Sequence, residues 1–112
     1  MLQIETIYKK GILFVRCYGV INKETKKELE KTLESAINEV GIKYLLLNVE
    51  NIYYINTEIE SIIKKWSTIL SKKDGKFFMC GKEQLKETYD VDKTEKVLQM
   101  TDEFSVFKMI NI

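Results

Sequence analysis

The chain begins with two segments whose side-chain pattern predicts a β-hairpin. In the first, Leu2 to Lys9, successive side chains fall alternately into two sets, as they do on the two faces of a strand. Lys10-Gly11 provides the turn, and Ile12 to Tyr18 is denser in apolar residues. We therefore expect the second strand to be the more buried of the two and to end at Gly19.

A helical period follows between Thr25 and Val40. Apolar residues recur there at the spacing of one helix face, and charged residues fill the other positions. Thr25 and Glu28 have the spacing of a capping box, and Gly41 follows the last turn as a stop signal. The residues expected to face the core are Leu29, Leu33, Ala36, Ile37 and Val40.

Two short apolar runs, Tyr44 to Val49 and Lys76 to Cys80, predict strands that are buried on both faces. The aromatic stretch from Glu50 to Asn56 is expected to be a loop. Between them, Glu58 to Ser71 has helical spacing, and its single Trp, Trp66, falls on the apolar stripe and is expected in the core.

The last third of the chain predicts three shorter elements. They are a helix over Lys82 to Tyr89, a strand over Lys96 to Gln99, and a final helix capped by Thr101 or Asp102, with Phe104, Phe107 and Ile110 as its apolar residues. The full order is β-β-α-β-α-β-α-β-α. It predicts one α/β domain over residues 1–112, with a mixed sheet of about five strands, the first at an edge, and helices mainly on one face.

Composition and charge favour a binding role over catalysis. With 18 basic and 17 acidic residues the net charge is +1, which lacks the basic excess of a dedicated nucleic-acid binder. The chain has no His, so the usual general base, the nucleophile–histidine pair and histidine metal sites are excluded. We expect no enzyme activity, no cofactor and no metal.

Cysteine usage and hydropathy indicate a cytoplasmic protein. Cys17 and Cys80 are far apart in sequence, lie in apolar runs and have no metal-ligand spacing, so we expect them to be buried free thiols. Free thiols are typical of a reducing compartment. No apolar run approaches the roughly 20 residues of a membrane span, and Arg16, the lone Arg, is expected to pair with an acid on a neighbouring strand.

Three segments, in this order and spacing, resemble the STAS domain of bacterial anti-sigma factor antagonists. They are Gly11 to Ile21, Tyr44 to Thr57 and Leu85 to Thr101, and the resemblance covers roughly Leu2 to Met109. The middle segment is similar to the family's hydrophobic strand followed by Asp-Leu-x-Phe-Met-Asp-Ser-Ser-Gly. The resemblance implies a protein partner that is both an anti-sigma factor and a serine kinase, and no direct contact with nucleic acid or membrane.

In that family a Ser at the start of the second helix is phosphorylated, and phosphorylation blocks partner binding. Carried over to this sequence, Asn56 stands at the family's Asp, Thr57 at the first Ser, Glu58 at the usual acceptor Ser and Ile59 at the Gly. With one residue lost here, Thr57 matches the acceptor. The resemblance thus makes Thr57 the candidate phosphoacceptor.

Physical chemistry leaves two roles open for this helix start. A helix N-terminus stabilises a phosphate, which suits an acceptor hydroxyl at Thr57. Thr57 and Glu60 also have capping-box spacing, so Thr57 is equally placed as a simple cap. Glu58 beside it is either a partial mimic of a phosphate or an ordinary first-turn acid.

The expected partner-binding residues surround this position. They are Tyr53, Tyr54, Asn56, Thr57, Glu58 and Ser61, with Ser61 a minor alternative acceptor. Exposed Tyr residues in this place favour a protein contact, and the other interpretation is one Tyr packed on the sheet and one half exposed. Three functions follow: an anti-sigma factor antagonist, a STAS scaffold without a working switch, or a small-ligand or nucleotide sensor. The oligomeric state stays open.

Overall fold

The architecture was determined from a computed structural model, which describes residues 1–55, 58–81 and 97–109. The strands are β1 Leu2–Lys9, β2 Ile12–Ile21, β3 Tyr44–Ile55, β4 Lys76–Cys80 and β5 Val97–Met100. The helices are α1 Lys26–Glu34, continued by a π-helical segment over Ser35–Val40, then α2 Glu58–Lys72 and α3 Ser105–Met109. The predicted helix over Lys82 to Tyr89 lies outside the described residues.

The five strands form one sheet in the order β1-β2-β3-β4-β5. β1 is antiparallel to β2, while β2, β3, β4 and β5 are parallel to one another. Because the first connection is a hairpin, β1 can occupy an edge, and the connections through α1 and α2 then add the parallel strands β3 and β4 on the other side. The predicted mixed α/β sheet, with its first strand at an edge, is confirmed.

The β1–β2 turn has the geometry of a two-residue type I′ hairpin. Lys10 and Gly11 both have positive φ, 54° and 82°, and Lys9 pairs with Ile12 across the turn. This turn type matches the twist of the two strands, and glycine adopts its left-handed conformation without steric cost.

The core has two layers, one on each face of the sheet. On one face, α1 and α2 pack through residues such as Leu33 and Trp66 against Val15 and Leu47. On the other face, Val106 of α3 packs against a second set of strand residues, Ile12, Phe14, Leu46, Phe78 and Cys80. The helices α1 and α2 therefore share one face, as predicted, and the short α3 covers part of the opposite face.

The start of α1 differs from the prediction, because the side chain of Thr25 makes no capping hydrogen bond to the helix. Instead, Thr25 Oγ1 donates to the carbonyl of Val20 and accepts from the N–H of Asn22. Asn22 Oδ1 in turn accepts the N–H groups of Glu24 and Thr25, which is an Asx-type turn. The predicted capping box of Thr25 with Glu28 is wrong, since Asn22 already organises this chain reversal.

The end of the same helix also differs. Leu29, Leu33, Ala36 and Ile37 are buried as predicted, but Val40 is 70% exposed. The chain is π-helical from Ser35 to Val40, and this wider winding moves the last apolar position off the core-facing stripe. Gly41 then ends the helix in the left-handed conformation, as expected.

Two strands run further than predicted. β2 continues past Gly19 to Ile21, and β3 continues to Ile55, through the stretch from Glu50 that was predicted as a loop. Asp102 caps α3 by accepting hydrogen bonds from the N–H and the hydroxyl of Ser105. Phe104 was predicted on the final helix, but it precedes α3 and is exposed; Ile110 lies outside the described residues.

The buried Trp and the two thiols are where the sequence predicted them. Trp66 is 2% exposed, and Lys65 lies 4.9 Å from the centre of its ring. Neither Cys17 nor Cys80 forms a disulfide, and the two are buried on opposite faces of the sheet. Burial raises the pKa of the Cys17 thiol to about 12, which keeps it protonated at neutral pH.

Candidate protein-binding site

The carboxyl-terminal half of β3 extends beyond its neighbour β4. The last β3–β4 pair joins Asn48 to Cys80, whereas pairing with β2 continues to Ile55 opposite Ile21. Gly81 follows β4 directly, and a side chain there would collide with the backbone of Glu50. Within the described residues, β3 thus extends past β4 beside β2, whose other side is paired with β1 up to Gly19.

Two irregularities in the β2–β3 pairing determine which side chains this extension exposes. Arg16 pairs with Asn48 but Tyr18 pairs with Asn51, and Gly19 pairs with Ile52 but Val20 with Tyr54. At each step β3 contains one residue more than β2, which is the defining feature of a β-bulge. The inward-facing residues of this part of β3, namely Val49, Ile52 and Ile55, are therefore three residues apart.

The bulges leave two adjacent tyrosines at the surface. Tyr53 is 79% exposed and Tyr54 is 53% exposed, while Ile52 and Ile55 on either side are buried. A regular strand would direct one of two adjacent side chains inwards. Both tyrosines are therefore exposed, which decides between the two interpretations that the sequence left open and excludes one Tyr packed on the sheet. They lie on a strand and not on the predicted loop.

The remaining predicted site residues lie at the start of α2. Asn56 and Thr57, which connect β3 to α2, lie outside the described residues. Glu58 is the first residue of α2, and nothing is described of its side chain. Glu60 and Ser61 are exposed in the first turn of the helix. Along the chain, the tyrosine pair therefore precedes Asn56 and Thr57, and the exposed first turn of α2 follows them.

A polar network lies on the face of the sheet that α3 covers, and the sequence predicted only part of it. Arg16 donates from Nη1 to Glu5 at 2.9 Å, which confirms the expected pairing with an acid on a neighbouring strand. It also donates from Nε and Nη2 to the two carboxylate oxygens of Glu103, at 2.9 and 2.8 Å. This forked geometry is the strong form of an arginine–carboxylate contact.

Asn48 joins this network to the bulged part of β3. Its Nδ2 donates to Glu103 at 2.9 Å, and its Oδ1 accepts the backbone N–H of Glu50 at 3.0 Å. Asn48 is almost fully buried, so these bonds compensate for the loss of water around its amide. A polar residue inside the apolar run from Tyr44 to Val49 was the sequence signal for this network.

The network also sets the ionisation of its members. The hydrogen bonds from Arg16 and from Asn48 hold the pKa of the Glu103 carboxyl below its usual value, although partial burial opposes them. The two carboxylates raise the pKa of the Arg16 guanidinium. Hydrogen bonds from Ser105 lower the pKa of Asp102. The ion pair therefore stays fully charged at neutral pH.

A cavity of about 300 Å³ opens beside this network, next to the extension. Its walls are polar and include carboxylates, amides and two aromatic rings. They are formed by Arg16, Tyr18, Asn48, Glu50, Asn51, Asp102, Glu103 and Phe104. Across residues 1–55, 58–81 and 97–109, no cluster of three or more potential ligands from His, Cys, Asp and Glu could hold a metal ion.

None of the helices in the described part of the chain has the length and apolar character that crossing a bilayer requires.

Comparison with known proteins identifies the family of this fold. The family model described as the STAS domain matches residues 3–110. An anti-sigma factor antagonist from Mycobacterium paratuberculosis has a similar structure, with a TM-score of 0.82 at 14% identity, covering 100% of this chain and 96% of that one. At such identity the likeness concerns the fold.

The anti-sigma factor antagonist SpoIIAA is similar in both of its forms. Its unphosphorylated form gives a TM-score of 0.74 at 11% identity, with 100% of each chain covered. The phosphorylated form of this Bacillus cell fate determinant gives a TM-score of 0.73 at 11% identity, covering 97% of this chain and 99% of that one.

Proposed function

This chain belongs to the STAS domain family, and on that premise we propose that it is an anti-sigma factor antagonist. It binds a protein partner that is both an anti-sigma factor and a serine kinase, and it performs no catalysis itself. The observation that carries this proposal is the pair of exposed tyrosines, Tyr53 and Tyr54, at the end of β3 and next to the start of α2. Buried thiols without a disulfide at Cys17 and Cys80 support a cytoplasmic location.

The proposed contact surface consists of Tyr53, Tyr54, Asn56, Thr57, Glu58 and Ser61. Tyrosine is enriched among the residues that dominate binding energy, because its ring gives a large contact area at a small entropy cost. The bulge keeps both rings outside the core, so they can bind without any rearrangement of the sheet. We expect the tyrosine pair to supply most of the affinity.

Binding is tested by replacing the tyrosine pair. The double variant Tyr53→Ser/Tyr54→Ser should weaken binding to the anti-sigma factor kinase of the same organism at least about 30-fold, from about 2 kcal/mol lost at such anchors. The measurement is titration calorimetry with the purified partner. Tyr8→Ser is the matched control, because Tyr8 is 63% exposed but lies on β1. Equal binding by all three proteins would contradict the proposed surface.

We propose Thr57 as the phosphoacceptor that regulates this contact. A phosphate there would meet the unpaired N–H groups at the start of α2 and would add negative charge between the tyrosines and Glu60. The test is intact mass after incubation with the kinase and ATP. Wild type should gain one phosphate, Thr57→Ala none, and Ser61→Ala one.

The alternative is a STAS scaffold in which Thr57 only caps α2. The exposed acid at Glu60 favours it, since capping-box spacing gives Thr57 a purely structural role. In that case the partner still binds through the tyrosines, but no phosphate is added to wild type. The calorimetry and the mass measurement together therefore separate the two functions.

A further inference from the structure

β1 has a free edge whose backbone groups can be assigned from the hairpin. The N–H of Val20 donates to the carbonyl of Met1, and the same pairing alternates along the antiparallel ladder. The odd-numbered residues of β1 therefore direct their N–H and C=O groups towards β2. The even-numbered ones, Ile4, Thr6 and Tyr8 among them, direct theirs outwards, where no strand of the described residues pairs with them.

This edge lacks the usual features that prevent strand pairing. β1 runs regularly against β2 from Leu2 to Lys9 without a bulge, and the chain contains no Pro. Natural edge strands are commonly interrupted by such residues or irregularities. Its charged side chains, Glu5 and Lys9, lie on the α3 face and carry opposite signs.

A groove of about 900 Å³ borders the edge on the other face. Residues of β1 line one side of the groove, and residues of α1 and its π-helical continuation line the other. Its apolar lining includes Ile4, Tyr8, Leu13, Ala36 and Val40. Tyr8 and Val40 are 63% and 70% exposed, so this apolar surface is open at the end of the edge near the hairpin turn.

We propose that a second copy of this chain pairs with this edge, β1 against β1, antiparallel about a two-fold axis at Ile7. In this register Glu5 of each copy lies opposite Lys9 of the other, and Ile7 lies opposite itself. A two-fold axis at Glu5 would oppose two carboxylates, and an axis at Thr6 would place Glu5 opposite Ile7. Opposite charges across a strand pair stabilise it and like charges destabilise it, so the Ile7 register is favoured.

The same register uses the outward backbone groups and the groove. Thr6 pairs with Tyr8 of the second copy, twice by symmetry, and each pair exchanges two backbone hydrogen bonds. Paired residues share a face, so Tyr8 of the second copy lies beside Thr6 at the open side of the groove. The two sheets become one continuous sheet of ten strands. This self-association is separate from the partner contact proposed at Tyr53 and Tyr54.

The overlap is short, from Glu5 to Lys9, so the dimer is expected to dissociate on dilution through roughly 10–100 μM. Sedimentation velocity over a range that extends to about 1 mM should show a reversible monomer–dimer equilibrium, with the dimer favoured at low ionic strength. A wild-type protein that stays monomeric throughout this range would overturn the proposal.

A charge exchange tests the register. Lys9→Glu opposes two pairs of acids, and Glu5→Lys opposes two pairs of lysines, so each variant alone should dimerise about tenfold more weakly than wild type. An equimolar mixture restores opposite charges in both pairs and should form the heterodimer, which native mass spectrometry resolves. A mixture that associates no better than the separate variants would exclude this register.

Thr6→Pro tests the backbone pairing. It removes one outward N–H while leaving the β1–β2 ladder intact, so the variant should fold, with an unchanged circular dichroism spectrum, and should remain monomeric. Thr6→Val is the matched control, since it retains the N–H and should dimerise as wild type does. Dimerisation of a folded Thr6→Pro variant to the wild-type extent would show that another surface is used.

Discussion

Glu103→Ala is expected to destabilise the protein far more than Glu5→Ala, although both residues pair with Arg16. Glu103 accepts two hydrogen bonds from Arg16 and one from Asn48, and its side chain is 19% exposed. Glu5 accepts a single hydrogen bond from Arg16, and its side chain is 51% exposed. Because both carboxylates pair with the same cation, a difference between the two variants reports on burial and on the number of hydrogen bonds.

The magnitude follows from these contacts. A hydrogen bond to a charged group contributes about 1.5–3 kcal/mol when buried, and an amide left without its partner costs about 1–3 kcal/mol. Arg16 is one-third exposed, so water replaces part of what its guanidinium loses. We expect a loss of about 2–3 kcal/mol for Glu103→Ala and under about 1 kcal/mol for Glu5→Ala.

Acidification should remove the stabilisation that the charged Glu103 carboxylate contributes. Arg16 lowers the pKa of Glu103 in the folded protein, so the ion pair's contribution to stability is complete above the unfolded pKa of about 4.3. It is lost as the pH falls through the lower, folded pKa. The stability difference between wild type and Glu103→Gln should therefore shrink on acidification from pH 7.

Urea unfolding followed by Trp66 fluorescence measures both effects. At pH 7 the free energy of unfolding should fall in the order wild type, Glu5→Ala, Glu103→Ala, and a pH series should show wild type converging on Glu103→Gln. Equal losses from the two alanine variants would refute the role assigned to burial. A difference between wild type and Glu103→Gln that is independent of pH would refute the role assigned to the charge.

Three further changes test the thiols, the π-helical segment and the hairpin turn. Native protein should react with a thiol reagent at pH 8 much more slowly than unfolded protein, because Cys17, with a pKa of about 12, and Cys80 are both buried. The reaction is followed by absorbance, and a rapid reaction of the native protein would contradict this prediction. Val40→Lys should change the free energy of unfolding by less than about 0.5 kcal/mol, whereas Ile37→Ala should lower it by about 2–5 kcal/mol. Urea unfolding measures both values, and similar losses from the two variants would exclude the π-helical register. Lys10→Asn should raise the melting temperature and increase the free energy of unfolding by about 0.5 kcal/mol, since Asn tolerates positive φ better than Lys. A lowered melting temperature would contradict the type I′ turn.

The fold was predictable wherever burial produces a regular sequence period. The continuous apolar runs at Tyr44 to Val49 and Lys76 to Cys80 predicted strands covered on both faces, and both are. The end of β3 was missed because its bulges space the inward residues three apart, which resembles neither a strand nor a full helix. The capping box at Thr25 failed because Asn22, three residues earlier, competes for the same hydroxyl.

The site was predictable only in its local parts. From the sequence, either both Tyr53 and Tyr54 are exposed or one packs on the sheet, and only the structure shows that both are exposed. The contact between Arg16 and Glu103 joins residues 87 positions apart, so no local sequence pattern predicts it. The roles of Thr57 and Glu58 depend on the family resemblance and stay predictions that the mass measurement will decide.

The bulged part of β3 exposes side chains in adjacent pairs, and this arrangement affects how its surface can evolve. Between the buried residues Val49, Ile52 and Ile55, two consecutive side chains point outwards at each step, first Glu50 and Asn51, then Tyr53 and Tyr54. Most of this stretch can mutate without repacking the interior. For the proposed partner-binding surface, selection can therefore change what is recognised while the scaffold persists, and divergence of partner specificity should concentrate at these four positions.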